Sequence, residues 1–204
     1  RTWRLSLRIR ITSMALTKLR SGGITDDAVV AAALATDSVG ADALSSSAIQ
    51  YGDLPAGTVL QVVRSAFVRT GNSDTTSTSM AEISADYRVT ITPKATNSIM
   101  LVDFTFGVTV DASTKLGVQA KVGTNSDFST GQSAIHAVSH DEFFRNDTGG
   151  RIQARSSLRS YYDAYSSTAT LYFRHDFNRP TGSGTARIND NTGPAFVTVT
   201  EIQQ

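Results

Sequence analysis

The chain has 204 residues, a formal net charge of +1, 40% hydrophobic residues and no cysteine. That balance suits a soluble folded protein with room for one full domain and an appendage, and it excludes disulfides and thiolate metal sites. No apolar run approaches the roughly 18 residues of a membrane span, so no transmembrane helix is expected.

The first segment alternates. Trp3, Leu5, Leu7, Ile9 and Ile11 are interleaved with Arg4, Ser6, Arg8 and Arg10, the period of two that marks a half-buried strand. Arginine interrupts the apolar run that a signal peptide needs, so secretion is not expected. Met14 reads as a natural start, which would make residues 1–13 upstream-encoded or added. A lone strand is unstable, so this one needs a sheet. Two readings stay open: an anchor added to the sheet edge of another protein, or a strand paired with other copies or with the chain's own domain. A nucleic-acid arm is the weaker third, because the aliphatic face suits protein.

Charge is segregated along the chain. Residues 1–23 hold six basic groups and no acid, residues 24–57 hold five acids and no base, and the remaining 147 residues hold 13 of each sign. Only the N-terminal segment therefore prefers an acidic partner. Gly22-Gly23 is a joint between this segment and the next.

From Ile24 a branched aliphatic residue returns every five positions: Ile24, Val29, Leu34, Val39, Leu44, Ile49, Leu54 and Val59. The spacing is neither 3.6 nor 2.0, and it is not a heptad. One large apolar residue in five cannot enclose a core within one chain, whereas several copies around an axis bury the stripe together. Residues 24–57 are thus expected to form the shaft of a homo-oligomer, most simply a trimer. A small-residue disordered linker is the competing reading. Val29–Ala35 has helical propensity and Thr25 or Asp26 offers a cap, but the run is too short to stand alone.

From Thr58 the pattern turns to β. Strands are expected at Val59–Val68, Met80–Ile83, Tyr87–Ile91, Ile99–Val110, Leu116–Val122, Ser133–Val138, Arg151–Tyr162, Ala169–Phe177, Thr185–Ile188 and Ala195–Ile202, with polar loops at 71–79, 123–133, 145–150 and 178–184. Short strands at even spacing, punctuated by Gly, Asn, Asp and Ser, mean a sandwich or jelly roll. Ile99 and Leu101 are apolar on the partly exposed side of their strand, which makes them candidates for contact between subunits or for a second core layer.

Several stretches carry a family likeness. Met14-Ala-Leu-Thr-Lys-Leu, Ile24-Thr-Asp-Asp-Ala-Val and Leu34-Ala-Thr-Asp-Ser-Val-Gly-Ala-Asp resemble the opening of tail-fibre proteins from cyanobacterial and other marine tailed phages. Tyr87-Arg-Val-Thr-Ile-Thr-Pro-Lys-Ala-Thr-Asn-Ser-Ile-Met-Leu-Val, Gly182-Ser-Gly-Thr-Ala-Arg-Ile-Asn and Val197-Thr-Val-Thr-Glu-Ile are similar to their distal β-domains. The likeness covers most of residues 14–204 and rests on repeats and strand patterns rather than a catalytic signature. It implies a virion protein, made in the host cytoplasm and displayed on the tail or capsid surface.

Catalytic constellations are sparse. His136 and His140, followed by Asp141 and Glu142, have metal-compatible spacing but not the His-Glu-x-x-His order. His175-Asp176, beside Tyr172 and Phe173, reads as an internal hydrogen bond rather than catalysis. No Gly-x-Ser-x-Gly elbow, Walker or dinucleotide pattern exists. Asp141 and Glu142 are adjacent, so on a strand they point to opposite faces and cannot flank one glycosidic bond. No catalytic, metal or cofactor site is expected. Phe143-Phe144-Arg145-Asn146-Asp147 and Tyr161-Tyr162-Asp163-Ala164-Tyr165 set aromatics beside charged or amide groups, a composition that suits glycan. Phe144, Arg145, Asn146, Tyr161 and Tyr165 are therefore candidate receptor contacts, against the alternative that these aromatics serve the core or a subunit interface.

The expected molecule is mainly β and homotrimeric: a basic anchoring segment (1–23), a decapeptide-repeat shaft (24–57) and an antiparallel, jelly-roll-like β-sandwich head (58–204). Its expected role is a non-enzymatic fibre, joined through its N-terminus to another virion protein and presenting the head to host-surface glycan or protein. A capsid head fibre or decoration protein, and a small carbohydrate-active enzyme, are the alternatives.

Overall fold

The computed structural model describes residues 49–65, 72–136, 143–163, 166–189 and 194–204. The anchoring residues Trp3, Leu5, Leu7, Ile9 and Ile11, the possible helix at 29–35, and the shaft residues Ile24, Val29, Leu34, Val39 and Leu44 lie outside them. The unit described begins at Ile49, ahead of the expected boundary at 58.

This unit is mainly β, and every pairing between its strands is antiparallel. The described strands are β1 (Val59–Arg64), β2 (Ser73–Thr75), β3 (Ala81–Glu82), β4 (Val89–Ile91), β5 (Ile99–Val110), β6 (Thr114–Gly123), β7 (Ser133–His136), β8 (Phe144–Asn146), β9 (Ile152–Tyr162), β10 (Leu171–Asn178), β11 (Ala186–Ile188) and β12 (Phe196–Ile202). Tyr51–Asp53 and Ala85–Tyr87 are single 3-10 turns.

Two six-stranded sheets result. In the first, β5 is central. One side pairs with β12 along Ile99–Thr105 and with β11 along Val108–Val110; the other side pairs with β9 along Met100–Val110. β1 extends the sheet beyond β12, and β2 extends it beyond β11. In the second, β10 and β6 form the central pair. β3 and β4 flank β10, while β7 and β8 flank β6.

Alternation explains what lies between the sheets. Met100, Val102, Phe104, Phe106, Val108 and Val110 fall on one face of β5 and are all fully buried. They join Leu116, Val118, Ala120 and Val122 of β6, Leu171, Phe173 and Phe177 of β10, and Val197 and Val199 of β12 in one cluster. Phe104 stacks on Phe106 at 4.4 Å between ring centroids. Two antiparallel sheets sharing one core agree with the expected β-sandwich.

The sequence pattern places β5 and β12 to within a residue, but two strands depart from it. β2 lies inside the expected 71–79 loop. Its inward positions are Ser73 and Thr75, both buried, so no apolar alternation announces it. β8 occupies the start of the expected 145–150 loop and is only three residues long. The expected strand at 59–68 is described only to Arg64, followed by Ser65, and that at 133–138 only to His136.

The register also fixes which loops share an end. Val59 pairs with Ile202, and Ile202 with Ile99, so the chain enters beside the start of β5. Val110, at the other end of β5, pairs with Ile152 and Ala186. At 3.4 Å per residue the two ends of β5 are roughly 37 Å apart.

Candidate functional site

The end far from the entry point is built by the turns 111–113, 147–151 and 179–185. Asp111 ties them together. Its Oδ1 accepts from Arg187 Nη1 at 2.7 Å and its Oδ2 from the Thr185 amide at 2.9 Å, with Arg151 at 3.9 Å. The Arg187 hydrogen bond, then that of Thr185, holds this carboxyl below the usual aspartate range. Gly182 and Gly184 let the 179–185 turn lie against the 111–114 turn. Gly182 has φ +111, and a Cβ there would collide with the Ser113 carbonyl. A Cβ at Gly184 would come within 2.5 Å of Asp111 Cβ and 2.6 Å of Thr114 Oγ1. Gly182-Ser183-Gly184 is thus a clasp between two turns.

Asn146 belongs to the same frame, which corrects its expected place among receptor contacts. Its side chain is buried, and Nδ2 donates to the carbonyls of Val110 at 3.1 Å, Asp111 at 3.0 Å and Gly150 at 2.6 Å. Oδ1 accepts from the Thr148 amide at 2.9 Å and the Thr148 hydroxyl at 2.7 Å. Four of its bonds close the 147–151 turn or fasten it to β5, leaving nothing for a ligand. Phe144 is half-buried and packs on the core. Arg145 is exposed and ion-paired with exposed Asp147.

The remaining receptor candidates sit elsewhere. Tyr161 pairs with Leu101 near the entry end, 60% exposed. Tyr165 lies outside the described residues. The 123–133 loop leaves β6 where Gly123 pairs with Tyr172, far from the 111–114 turn. Of the four polar loops expected from sequence, 145–150 and 178–184 are distal. So is 76–79, where the Arg179 amide reaches the Ser77 carbonyl at 2.8 Å.

The entry end is held by a buried carboxylate. Glu201 faces inward from β12 with no exposure. It accepts from the amides of Lys94 at 2.8 Å and Ala95 at 3.1 Å, from Ser98 Oγ at 2.7 Å and from Gln61 Nε2 at 2.6 Å. Sequence pattern alone places Glu201 inward, because it shares parity with Val197 and Val199.

Of the three histidines, His175 is the one whose side chain is described. The backbone of His136 lies in β7, while His140, Asp141 and Glu142 fall outside the described residues. Among the described residues, no three His, Asp or Glu side chains are grouped to hold a metal. His175 corrects the expectation of an internal hydrogen bond. It is fully buried, its ring lies 4.4 Å from Phe104, and neither ring nitrogen has a hydrogen-bond partner among the described residues. Burial pushes its pKa down to about 3, so it is neutral at pH 7. Its neighbour Asp176 points to the opposite face, where it meets Lys121 at 2.7 Å and Arg174 at 2.9 Å.

No protein-family model matches the chain, and no curated protein matches it. The site itself must therefore separate the function classes. The distal end offers a rigid frame with exposed Arg145 and Asp147 at its rim. No helix among the described residues is long and apolar enough to cross a membrane.

Proposed function

We propose that this chain is a phage virion fibre protein, non-enzymatic, that assembles as a homotrimer through residues 24–57 and presents its β-domain for host-surface recognition. The observation that carries this is the five-residue aliphatic repeat, eight members long, which runs directly into the β-domain. Two of its last members, Ile49 and Val59, are 60% and 53% exposed in the single chain. Branched aliphatic side chains left in water at that spacing call for other copies, since each buried one contributes roughly 1.5–3 kcal/mol. The likeness to tail fibres of marine phages supplies the particle, and the basic strand pattern of residues 1–13 supplies an attachment point.

The distal loops are the natural recognition surface, because a rigid scaffold tolerates variation there. Arg145 of β8 and Asp147 on the turn that follows it are its best-placed charged groups. Three weak sites on one axis would gain avidity from their linkage.

Antibody against the β-domain, imaged on purified particles, tests the proposal. Label at a tail or its fibres supports it; label spread over the shell would point to a decoration protein instead; absence of the protein from particles would end it. Release of reducing ends from host polysaccharide would favour the small carbohydrate-active enzyme.

A further inference from the structure

The two outer sheet surfaces differ in kind. On the second sheet, the 124–132 loop folds back over the strands. Phe128 is buried there, with its ring 4.7 Å from the Arg174 guanidinium and 5.2 Å from that of Arg88. Beneath lie the ion pairs of Glu82 with Arg88 and of Asp176 with Lys121. That face is charged and already covered.

The outer face of the first sheet is apolar and open at the entry end. Opposed residues of antiparallel strands share a face, so the register assembles it. Tyr161, Leu101, Thr200 and Val62 form one row across β9, β5, β12 and β1. Ile99, Ile202 and Val59 form the row beside it. Val62 is 58% exposed, and Leu101, Ile99 and Ile202 are half-buried. The large hydrophobic side chains exposed among the described residues are Ile49, Tyr51, Val59, Val62 and Tyr161. Three belong to this face and the other two lie in the segment leading into it. A contiguous patch of this kind, aromatic and depleted of charge, has the composition of an interface core.

We infer that this face is where β-domains of neighbouring copies of this chain pack on one another, continuing the contact that the repeat begins. The inference rests on the oligomer proposed above and adds the surface. Continuity identifies the occupant. Val59 is at once the last member of the five-residue series and the first residue of β1, on the apolar rows. Whatever axis collects the Ile49, Leu54 and Val59 positions of several copies also brings their β1 strands side by side. Tyr161 then belongs to the interface rather than to receptor binding, and the contact ends where the next row turns to Arg64, Asp103 and Arg159.

The absence of cysteine makes the test clean. Val62→Cys, Tyr161→Cys and, as a distal control, Arg145→Cys are introduced singly into the full chain. Val62 and Tyr161 both project from exposed positions, so neither change removes core packing. Oligomeric state is read by native mass spectrometry, and thiol access by the rate of maleimide labelling. The expected result is an oligomer in which the Val62→Cys and Tyr161→Cys thiols react at least about tenfold more slowly than the Arg145→Cys thiol, because labelling requires a reachable thiolate. The Val62→Cys plus Tyr161→Cys double variant provides a second readout. Three strand spacings, roughly 14 Å, separate the two positions within a chain, beyond the reach of an intrachain disulfide. Oxidation should therefore link different chains. An oligomer with fast labelling at both positions and no cross-linking would overturn the inference while leaving the fibre proposal standing, and would turn the face toward another protein. A monomer would overturn both.

Discussion

At Glu201 a carboxylate is fully buried, and it is tolerable only because five donor contacts surround it. Removing it strands the Lys94 and Ala95 amides in the interior. Glu201→Ala should cost roughly 1–3 kcal/mol, the scale of leaving a buried donor unsatisfied, with Glu201→Gln milder; urea unfolding measures both. His175 carries the opposite problem, an uncharged ring that cannot accept a proton in place. Its folded pKa, about 3, lies below its ordinary value, so the unfolded chain binds the extra proton. Stability from this residue is therefore complete above pH 6.5 and falls as pH drops toward 3, by about 1.4 kcal/mol per pH unit. In His175→Leu that part of the acid slope should vanish. An unchanged slope would show that the ring is hydrated or relocates on protonation.

Among the elements, the distal turns depend on close approach. Gly184→Ala puts a methyl against Asp111 and Thr114, and overpacking of this kind costs roughly 1–3 kcal/mol. The variant should unfold at lower urea while keeping its β signal by circular dichroism. Legibility in sequence follows the same physics. β5 is plain because six inward side chains are large and apolar. β2 is hidden because Ser73 and Thr75 occupy inward positions, so its pairing with β11 is visible only in three dimensions. Asn146 misleads for a related reason. An amide beside Phe144 and Arg145 suits a sugar, but the following Asp-Thr-Gly-Gly is also the signature of a turn closed by an Asn side chain. Glu201 was recoverable from parity, whereas the donors that satisfy it come from β1 and the 93–98 turn and leave no local mark. The end at which each loop lies follows from strand register, which hydrophobic pattern does not encode. That is why Arg145 and Tyr161, alike as aromatic-neighbourhood candidates, separate to opposite ends. Arg145→Ala should reduce adsorption to host cells without changing the melting temperature, because its side chain is exposed and its ion pair with Asp147 lies at the surface. Undiminished adsorption, with the protein confirmed on particles, would favour a structural or decorative head.

For the whole molecule, the central claim is that copies of this chain share an axis. The aliphatic series from Ile24 to Val59, the exposure of Ile49 and Val59, and the apolar end of the first sheet are the observations behind this proposal. Native mass spectrometry of the full chain beside its Leu34→Asp plus Leu44→Asp variant tests this most directly. In the proposed oligomer each replaced leucine would contribute roughly 1.5–3 kcal/mol per copy, and the substitution adds a charge where copies would meet. The account predicts three chain masses for the unmodified protein and a shift to smaller species for the variant. A monomer for the unmodified protein across micromolar concentrations would contradict it.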